Sequence, residues 1–289
     1  MRVVALAGGV GGARLVQGLD RIEELDLSVV VNTGDDFDHW GLRICPDLDT
    51  VMYTLSGLAD SERGWGLRGE TWQALEGMKA LGAEAWFALG DRDLATHLRR
   101  TAWLREGLGL SEVTRRLCAA LGVRTRLLPM SEKPCPTHVN GQSFQTWLVR
   151  QRAPEVHSLH TTPGPAAPGV QELLADADAI VLAPSNPYVS IDPILDCIEL
   201  PSGTPVVALS PILGGRAVKG PLAQMIPALT GREPSAQAIW DHYSDRGLRL
   251  HAMLVQTGDR VEGPHAATET VMGGPQDRER VARELLGLL

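Results

Sequence analysis

A run of glycines between an apolar segment and an amphipathic segment constrains the fold of this sequence more than any other feature. Residues 3–7 are all apolar, as in a buried strand of a parallel sheet, and glycines follow at positions 8, 9, 11 and 12. Residues 13–25 carry apolar side chains at helical spacing, and residues 27–31 have the composition of a second buried strand. This β-α-β pattern predicts a Rossmann-like, doubly wound α/β fold with a mostly parallel sheet.

The alternation of strands and helices returns in the last third of the chain, whereas the middle is less regular. An Asn140-Gly141 pair there has the signature of a tight type I′ hairpin. We therefore expect a single catalytic α/β domain over residues 1–289, with an inserted α+β segment of helices and a hairpin at about residues 65–165. Residues 124–170 carry no motif that we can assign. The other predicted strands are residues 137–139, 143–149, 179–183, 206–209 and 253–256. The other predicted helices are residues 49–56, 71–81, 94–106, 111–121 and 278–288. Residues 32–47 are predicted to form a loop.

Composition and charge exclude several classes of protein. The formal net charge is −8 and the pI is near 5.5, which argues against a general nucleic-acid surface but leaves a small phosphorylated ligand open. The four cysteines contain no C-x-x-C pair and give no zinc site. No apolar run approaches the roughly 18 residues of a membrane span, and the apolar stretch after Met1 is too short for a signal peptide. We expect a cytoplasmic protein without a membrane partner.

The glycine run is predicted to bind phosphate. Gly9, Gly11 and Gly12 follow a strand and open a helix, where backbone N–H groups and a partial positive charge favour an anion. The alternative is a tight turn that packs the first helix on the sheet. The G-x-G-x-x-G fingerprint of dinucleotide-binding proteins lacks its third glycine here, and the second strand ends in Asn32 without an acid at its tip, which weakens an NAD-binding interpretation. No Gly-Lys-Ser/Thr motif occurs, which weakens a P-loop ATPase interpretation.

Five aspartates lie within fifteen residues after the second predicted strand. Hard carboxylate oxygens beside a phosphate site suit a divalent cation, and one carboxylate there can also orient or deprotonate an acceptor hydroxyl. The alternative is that these residues form turns or cap the next helix. The five are Asp35, Asp36, Asp38, Asp47 and Asp49.

Three later loops are further candidates for the same crevice. Arg92 follows a short apolar run and has a guanidinium fork that can hold a phosphate or a planar ligand, although Asp91 or Asp93 at this point can equally cap a helix. The segments 184–187 and 210–216 leave predicted strands at their carboxyl ends, where open α/β sheets bind ligands. Lys219 is predicted to precede another helix, and His97 to lie on a helix face.

With these motifs assembled, the chain resembles the 2-phospho-L-lactate transferase family of coenzyme F-420 biosynthesis. The resemblance runs nearly end to end, and the Cys-Pro-Asp-Leu-Asp-Thr segment is its most specific motif. The matching segments are 8–14, 32–36, His39 with Gly41-Leu42, 45–50, 90–97, 185–187 and 210–212.

The resemblance implies a reaction, a metal and a set of site residues. A guanosine diphosphate that carries lactate or a related phosphoenolpyruvate-derived unit is attacked by the terminal ribityl hydroxyl of the deazaflavin Fo, guanosine monophosphate leaves, and Mg²⁺ is required. Asp49 is expected to orient the hydroxyl, and a homodimer is expected. The expected Fo site is Asp49, Arg92 and Thr33, and the expected nucleotide site is Gly9, Gly11, Gly12, Ser185, Asn186, Ser210 and Gly214. Within the acidic cluster, Asp35, Asp36 and Asp49 are the expected metal ligands, although the sequence leaves open which aspartates contact the metal.

Two alternatives and one ambiguity stay open at this point. The related gluconeogenesis-factor family shares the glycine loop and is thought to bind nucleotide-sugars in a regulatory role. An NAD-dependent oxidoreductase is disfavoured by the missing acid after the second strand. The sequence also leaves open whether the transferred acid is phospholactate, phosphoenolpyruvate or phosphoglycerate.

Overall fold

Seven parallel strands form the central sheet of the computed structural model, which describes residues 1–218 and 220–289. The strands of the described residues are β1 (Arg2–Ala7), β2 (Asp26–Val31), β3 (Phe37–His39), β4 (Leu42–Ile44), β5 (Arg126–Pro129), β6 (Thr137–Val139), β7 (Gln142–Ser143), β8 (Leu159–Thr161), β9 (Ala179–Leu182), β10 (Val206–Leu209), β11 (Ile212–Leu213), β12 (Arg216–Ala217), β13 (Ala252–Gln256) and β14 (His265–Thr268). The order in the central sheet is β14-β13-β10-β9-β1-β2-β5. The short strands pair as β3-β4, β11-β12 and β7-β6-β8.

Helices cover both faces of this sheet. Successive β1 side chains alternate between two cores, with Val4 and Leu6 in one and Val3 and Ala5 in the other. A parallel sheet buried on both faces has the apolar strands seen in the sequence. The helices are α1 (Gly9–Asp20), α2 (Pro46–Leu55), α3 (Gln73–Ala80), α4 (Asp91–Arg105), α5 (Leu110–Ala120), α6 (Val170–Ala175), α7 (Asp192–Leu195), α8 (Leu222–Thr230), α9 (Ala236–Asp245) and α10 (Pro275–Leu286), with π-helical turns at Thr146–Arg150 and Pro187–Ile191.

The direction of strand succession reverses between β1 and β9. From β1 the chain adds β2 and β5 on one side, and then β9, β10, β13 and β14 on the other. The connections leaving β1 and β9 therefore diverge, and a crevice opens at the carboxyl ends of these two strands. The predicted α/β fold is confirmed, and the glycine run lies at this switch point.

Several predicted elements differ from the structure in their bounds. The helix predicted at 13–25 is α1 at Gly9–Asp20, because the glycine run itself forms the first helical turn. The predicted loop at 32–47 contains the β3-β4 hairpin and the start of α2. The predicted strand at 143–149 is wrong beyond β7, since a π-helical turn there places Trp147 in the core.

Three further observations concern expectations from the sequence. The predicted insert contains β5, which pairs with β2 at the edge of the central sheet. Lys219, predicted to precede a helix, lies outside the described residues, and α8 begins at Leu222. Across residues 1–218 and 220–289, no helix has both the length and the hydrophobicity that crossing a bilayer requires.

Candidate active site

The start of α1 lies against the loop that follows β9. The Gly8 amide donates a hydrogen bond to Ser185 Oγ (3.0 Å), and this hydroxyl donates to the Gly8 carbonyl oxygen (2.7 Å). A Cβ atom on Gly11 would lie 2.5 Å from the Pro184 carbonyl oxygen. Because the close neighbour of Gly11 is backbone, a larger residue does not fit there. Part of the glycine run thus serves the contact between helix and loop.

A cavity of about 180 Å³ lies beside this contact, and we call it the switch-point cavity. Its wall includes Gly11, Asn186 and Ser210, three of the predicted nucleotide residues. The Val10 and Gly11 amides belong to the first turn of α1, where a helix leaves N–H groups without intrahelical acceptors and carries a partial positive charge. These groups suit a phosphate. The other described lining residues are Arg14, Pro184, Leu209, Pro211, Leu213, Val218, Leu222, Thr270, Val271 and Met272.

Other predicted nucleotide residues contact protein groups. The Gly9 amide donates to Asp47 Oδ1 (2.7 Å), and the Gly214 amide donates to Asp259 Oδ2 (3.0 Å) in the turn between β11 and β12. These amides already have acceptors in the protein, so they support the surrounding backbone. The predicted nucleotide residues that lie outside the described lining of the switch-point cavity are Gly9, Gly12, Ser185 and Gly214.

Two aspartates and an asparagine form a buried cluster after β2. Asn32 Nδ2 donates to Asp35 Oδ1 (2.5 Å) and to Asp47 Oδ2 (2.9 Å), and Gln145 Nε2 donates to Asp35 Oδ2 (3.0 Å). Burial raises the pKa of Asp35 well above its usual range, and the nearby Asp47 and Asp36 carboxylates raise it further. Burial raises the pKa of Asp47 to about 6. This cluster therefore favours binding of a proton or a cation.

Asp36 lies in a different environment from its neighbour in sequence. Its side chain is 1% exposed, and Arg43 Nη2 lies 3.7 Å from its Oδ2. Neither carboxylate oxygen has a hydrogen-bond partner among the described residues. Burial raises the pKa of Asp36 to about 7, although the Arg43 guanidinium opposes this shift.

These buried carboxyls predict a decrease in stability as the pH rises. Asp36 has an ordinary pKa of 3.8 when unfolded and about 7 when folded, so the folded chain binds more protons between these values. Raising the pH through this window removes a proton that stabilises the fold. We expect the free energy of unfolding without divalent cations to fall between about pH 4 and pH 7, and less steeply for Asp36→Asn. Denaturant titrations with a chelator measure both slopes; identical slopes would contradict the assignment.

Asp49 forms a buried ion pair with Arg100. Arg100 Nη1 donates to Asp49 Oδ2 (3.0 Å), and Nη2 donates to Oδ1. Burial alone would lower the pKa of Arg100, but the Asp49 carboxylate raises it above its usual value. His97 Nδ1 lies 3.2 Å from Arg100 Nη1 and 3.7 Å from Asp49 Oδ2. Asp49 is thus a fixed hydrogen-bond acceptor, because its two oxygens are held in place by one guanidinium fork.

A small cavity of about 70 Å³ opens onto this ion pair, and we call it the Asp49 cavity. Aromatic rings of Trp65 and Phe87 line it together with Tyr53, whose hydroxyl donates to Asp93 Oδ1 (2.6 Å). The lining thus combines apolar and aromatic side chains with two carboxylates, Asp49 and Asp93, and suits a small group that carries a hydroxyl. The remaining lining residues are Ile44, Pro46, Thr50, Gly66, Ala88 and His97.

A third cavity, of about 300 Å³, adjoins both of these, and we call it the arginine cavity. It shares Val10 and Arg14 with the switch-point cavity. It also shares lining residues with the Asp49 cavity. The three cavities are therefore neighbours, and they lie in sequence between the start of α1 and Asp49. The residues shared with the Asp49 cavity are Thr50, Tyr53, Trp65 and Gly66.

Two residues predicted at the Fo site lie outside the described lining of the Asp49 cavity. Arg92 is at the start of α4, and its guanidinium donates to the Arg68 carbonyl oxygen. Thr33 is buried, and its hydroxyl has no hydrogen-bond partner among the described residues. Asp91 accepts hydrogen bonds from the first amides of α3, so it stabilises that helix start.

The predicted metal residues fall into two groups. Asp35 lies with Asp47, whereas Asp49 pairs with Arg100. Within residues 1–218 and 220–289, no three His, Cys, Asp or Glu side chains are grouped as a metal site. The Asp36 oxygens, which have an ion-pair contact with Arg43 but no hydrogen bond from a described residue, and the raised pKa of Asp35 nevertheless fit a hard cation that completes its coordination with water and substrate phosphate.

Sequence reasoning missed Arg100, Asn32 and the part played by His97. Arg100 is 1% exposed, and it lies three residues after His97 and seven after Asp93 on α4. That spacing places the three polar side chains on one face of the helix, and this pattern was the sequence signal that could have identified Arg100. The partner of this face, Asp49, is 51 residues away in sequence and could not be identified from the pattern.

Comparisons with known proteins give the family of this chain. A family described as 2-phospho-L-lactate transferase CofD matches residues 3–281. A protein named phosphoenolpyruvate transferase from Nocardia farcinica is 41% identical, covering 99% of this chain and 94% of its own length; one of the same name from Streptomyces griseus is 46% identical, covering 90% and 86%. A solved structure of a UPF0052 family member from Bacillus halodurans superposes with a TM-score of 0.66 at 16% identity, covering 99% and 98%, and supports the fold alone. The chain belongs to the 2-phospho-L-lactate transferase family.

Proposed function

We propose that this protein transfers a phosphoenolpyruvate- or phospholactate-type group from a guanosine-diphosphate-linked donor to the ribityl hydroxyl of Fo in coenzyme F-420 biosynthesis. The family and the names of the relatives support a transferase of this kind. The observation that carries the proposal is the row of three neighbouring cavities between the start of α1 and the buried Asp49.

In this proposal the donor diphosphate lies at the start of α1. The Val10 and Gly11 amides and the helix dipole supply positive potential, and Asn186 and Ser210 form the opposite wall. The hydroxyl oxygen attacks the phosphorus that carries the three-carbon acid. The bond from that phosphorus to the bridging oxygen breaks, and guanosine monophosphate leaves with the bridging oxygen.

Asp49 is proposed to orient the attacking hydroxyl. The ion pair with Arg100 keeps the carboxylate in one position, and Asp49 is one of the residues that line the Asp49 cavity. Phosphoryl transfer depends mostly on positioning and charge neutralisation, so a fixed acceptor of this kind is sufficient chemistry for the protein to supply. The hydroxyl proton is released to solvent as the new bond forms.

Mg²⁺ is proposed to bind at the acidic residues after β2. Asp35, Asp36 and Asp49 are the metal residues expected from the acidic cluster in the sequence, and Asp47 is added because it shares the Asn32 amide with Asp35. Mg²⁺ commonly uses one or two carboxylates together with substrate phosphates, and when bound it would neutralise charge on the diphosphate. Asp49 is the weakest of these candidates, since Arg100 already neutralises it.

Nucleotide titration tests the proposal. We expect GDP with Mg²⁺ to raise the melting temperature, and UDP-sugars and NAD⁺ to do so much less, because only the first is a fragment of the donor. Thermal shift measures all three, and transfer to Fo with release of GMP is then followed chromatographically. Stabilisation by UDP-sugars alone would favour a regulatory nucleotide-sugar-binding protein, and stabilisation by NAD⁺ alone would favour an oxidoreductase.

A further inference from the structure

The arginine cavity contains two cationic side chains from different helices. Arg14 extends from α1 and Arg278 from α10, and both line the cavity. The two helices pack against each other closely enough that a Cβ atom on Gly18 would overlap the Arg278 backbone. Helix packing therefore fixes the backbone positions from which the two arginine side chains extend.

Neither of these arginines forms an ion pair with a described residue. The Arg14 side chain makes no hydrogen bond with a described residue. Arg278 donates to neutral acceptors, namely the Gln17 Oε1 atom and the Gly273 carbonyl oxygen (3.2 Å), and its buried Nε has no acceptor among the described residues. Burial and then the adjacent Arg14 charge lower the pKa of Arg278, and the Asp277 carboxylate opposes this shift. Two neighbouring cations that form no ion pair are stabilised by an anion from solution.

The other charges around the cavity do not neutralise this pair. Asp60 also lines the cavity, but it accepts hydrogen bonds from the Arg63 and Glu62 amides and lies 3.6 Å from the Arg63 guanidinium. Asp277 precedes Arg278 and accepts a hydrogen bond from the Gly274 amide (3.0 Å). A further arginine, Arg68, lines the same cavity. The described lining thus carries three arginines and one aspartate.

We propose that Arg14 and Arg278 bind the carboxylate of the three-carbon acid on the donor. This inference rests on the proposed function, because it uses the positions of donor and acceptor. If the nucleotide occupies the switch-point cavity and the hydroxyl lies in the Asp49 cavity, the three-carbon acid, still bonded to the reacting phosphorus, extends into the adjoining arginine cavity. Guanidinium forks are well matched to a carboxylate. Arg14 and Arg278 would then recognise the carboxylate that phospholactate, phosphoenolpyruvate and phosphoglycerate have in common.

Two phosphate esters that differ at one group test this. 2-Phosphoglycerate has a carboxylate at the position where glycerol 2-phosphate has a hydroxymethyl group. Either ester, added together with GMP, supplies the two halves of a ligand that resembles the donor. We expect calorimetry with saturating GMP and Mg²⁺ to show at least ~10-fold tighter binding of 2-phosphoglycerate, as charge-assisted hydrogen bonds provide. In Arg14→Gln and in Arg278→Gln this preference should fall towards one, whereas the GDP affinity of Arg278→Gln, which lies outside the described lining of the switch-point cavity, should change by less than ~3-fold.

The control is Arg283→Gln, which removes an exposed arginine of the same helix that pairs with Glu279. It should keep the full preference for the carboxylate. The inference is overturned if the wild type shows no preference, if both cavity variants retain it, or if Arg278→Gln loses GDP affinity to the same extent. Failure of the wild type to bind GDP or to transfer to Fo would instead remove the proposed function, and a preference that depends on the two arginines would then still identify a carboxylate site.

Discussion

Replacing Asp49 by Asn should lower turnover by ~10²-fold or more and also destabilise the protein. The first effect follows if the carboxylate orients the acceptor hydroxyl. The second follows from the structure, because Arg100 would become a buried charge without a counter-charge, at a cost of about 3–5 kcal/mol. Steady-state kinetics well below the melting temperature, with denaturant titration of the same sample, measure the two effects separately.

The double variant Asp49→Asn with Arg100→Gln separates the structural role from the chemical one. Removing both buried charges should recover most of the lost stability, since no ion is left uncompensated. Turnover should stay low, because the acceptor for the hydroxyl is still missing. If turnover returned together with stability, Asp49 would only support the fold, and its place in the proposed reaction would be wrong.

The fold was predictable from the sequence because its determinants are local. The apolar strands, the glycine run and the following helical spacing lie within the first 31 residues, and parallel strands with crossover helices allow few topologies. The boundary error at α1 has a local cause too. The helix was predicted to begin at residue 13, after the glycines, but Gly11 lies in the first turn of α1, where its contact with Pro184 admits no side chain.

The sequence predicted which segments of the chain form the candidate site, but it did not predict which side chains in those segments contact each other. Asp35 and Asp36 are adjacent in sequence, yet Asp35 bonds to Gln145 and Asp36 lies beside Arg43. Which way each side chain faces depends on the tertiary contacts of the loop, which a motif does not contain. The π-helical turn at Thr146–Arg150 had no turn or periodicity signal, although it positions the segment that supplies Gln145.

Gly11→Ala should weaken GDP binding by about tenfold or more and destabilise the fold by about 1–3 kcal/mol, as overpacking against a rigid neighbour does. The new Cβ would lie 2.5 Å from the Pro184 carbonyl oxygen, so either the first turn of α1 or the loop after β9 must move. Both elements line the switch-point cavity, and therefore its shape must change. Calorimetric titration with GDP and thermal unfolding measure the two effects.

The sign of the stability change is what makes this test decisive. Alanine is favoured over glycine inside a helix, so Gly77→Ala in α3, where a Cβ has nothing within 4 Å, should stabilise the protein by about 0.5–1 kcal/mol. Gly11 also lies in a helix and has no positive φ, so helix propensity alone predicts the same gain there. A loss at Gly11 beside a gain at Gly77 would come from the contact with Pro184. Equal gains and unchanged GDP affinity would show that this contact shapes neither the crevice nor the nucleotide site.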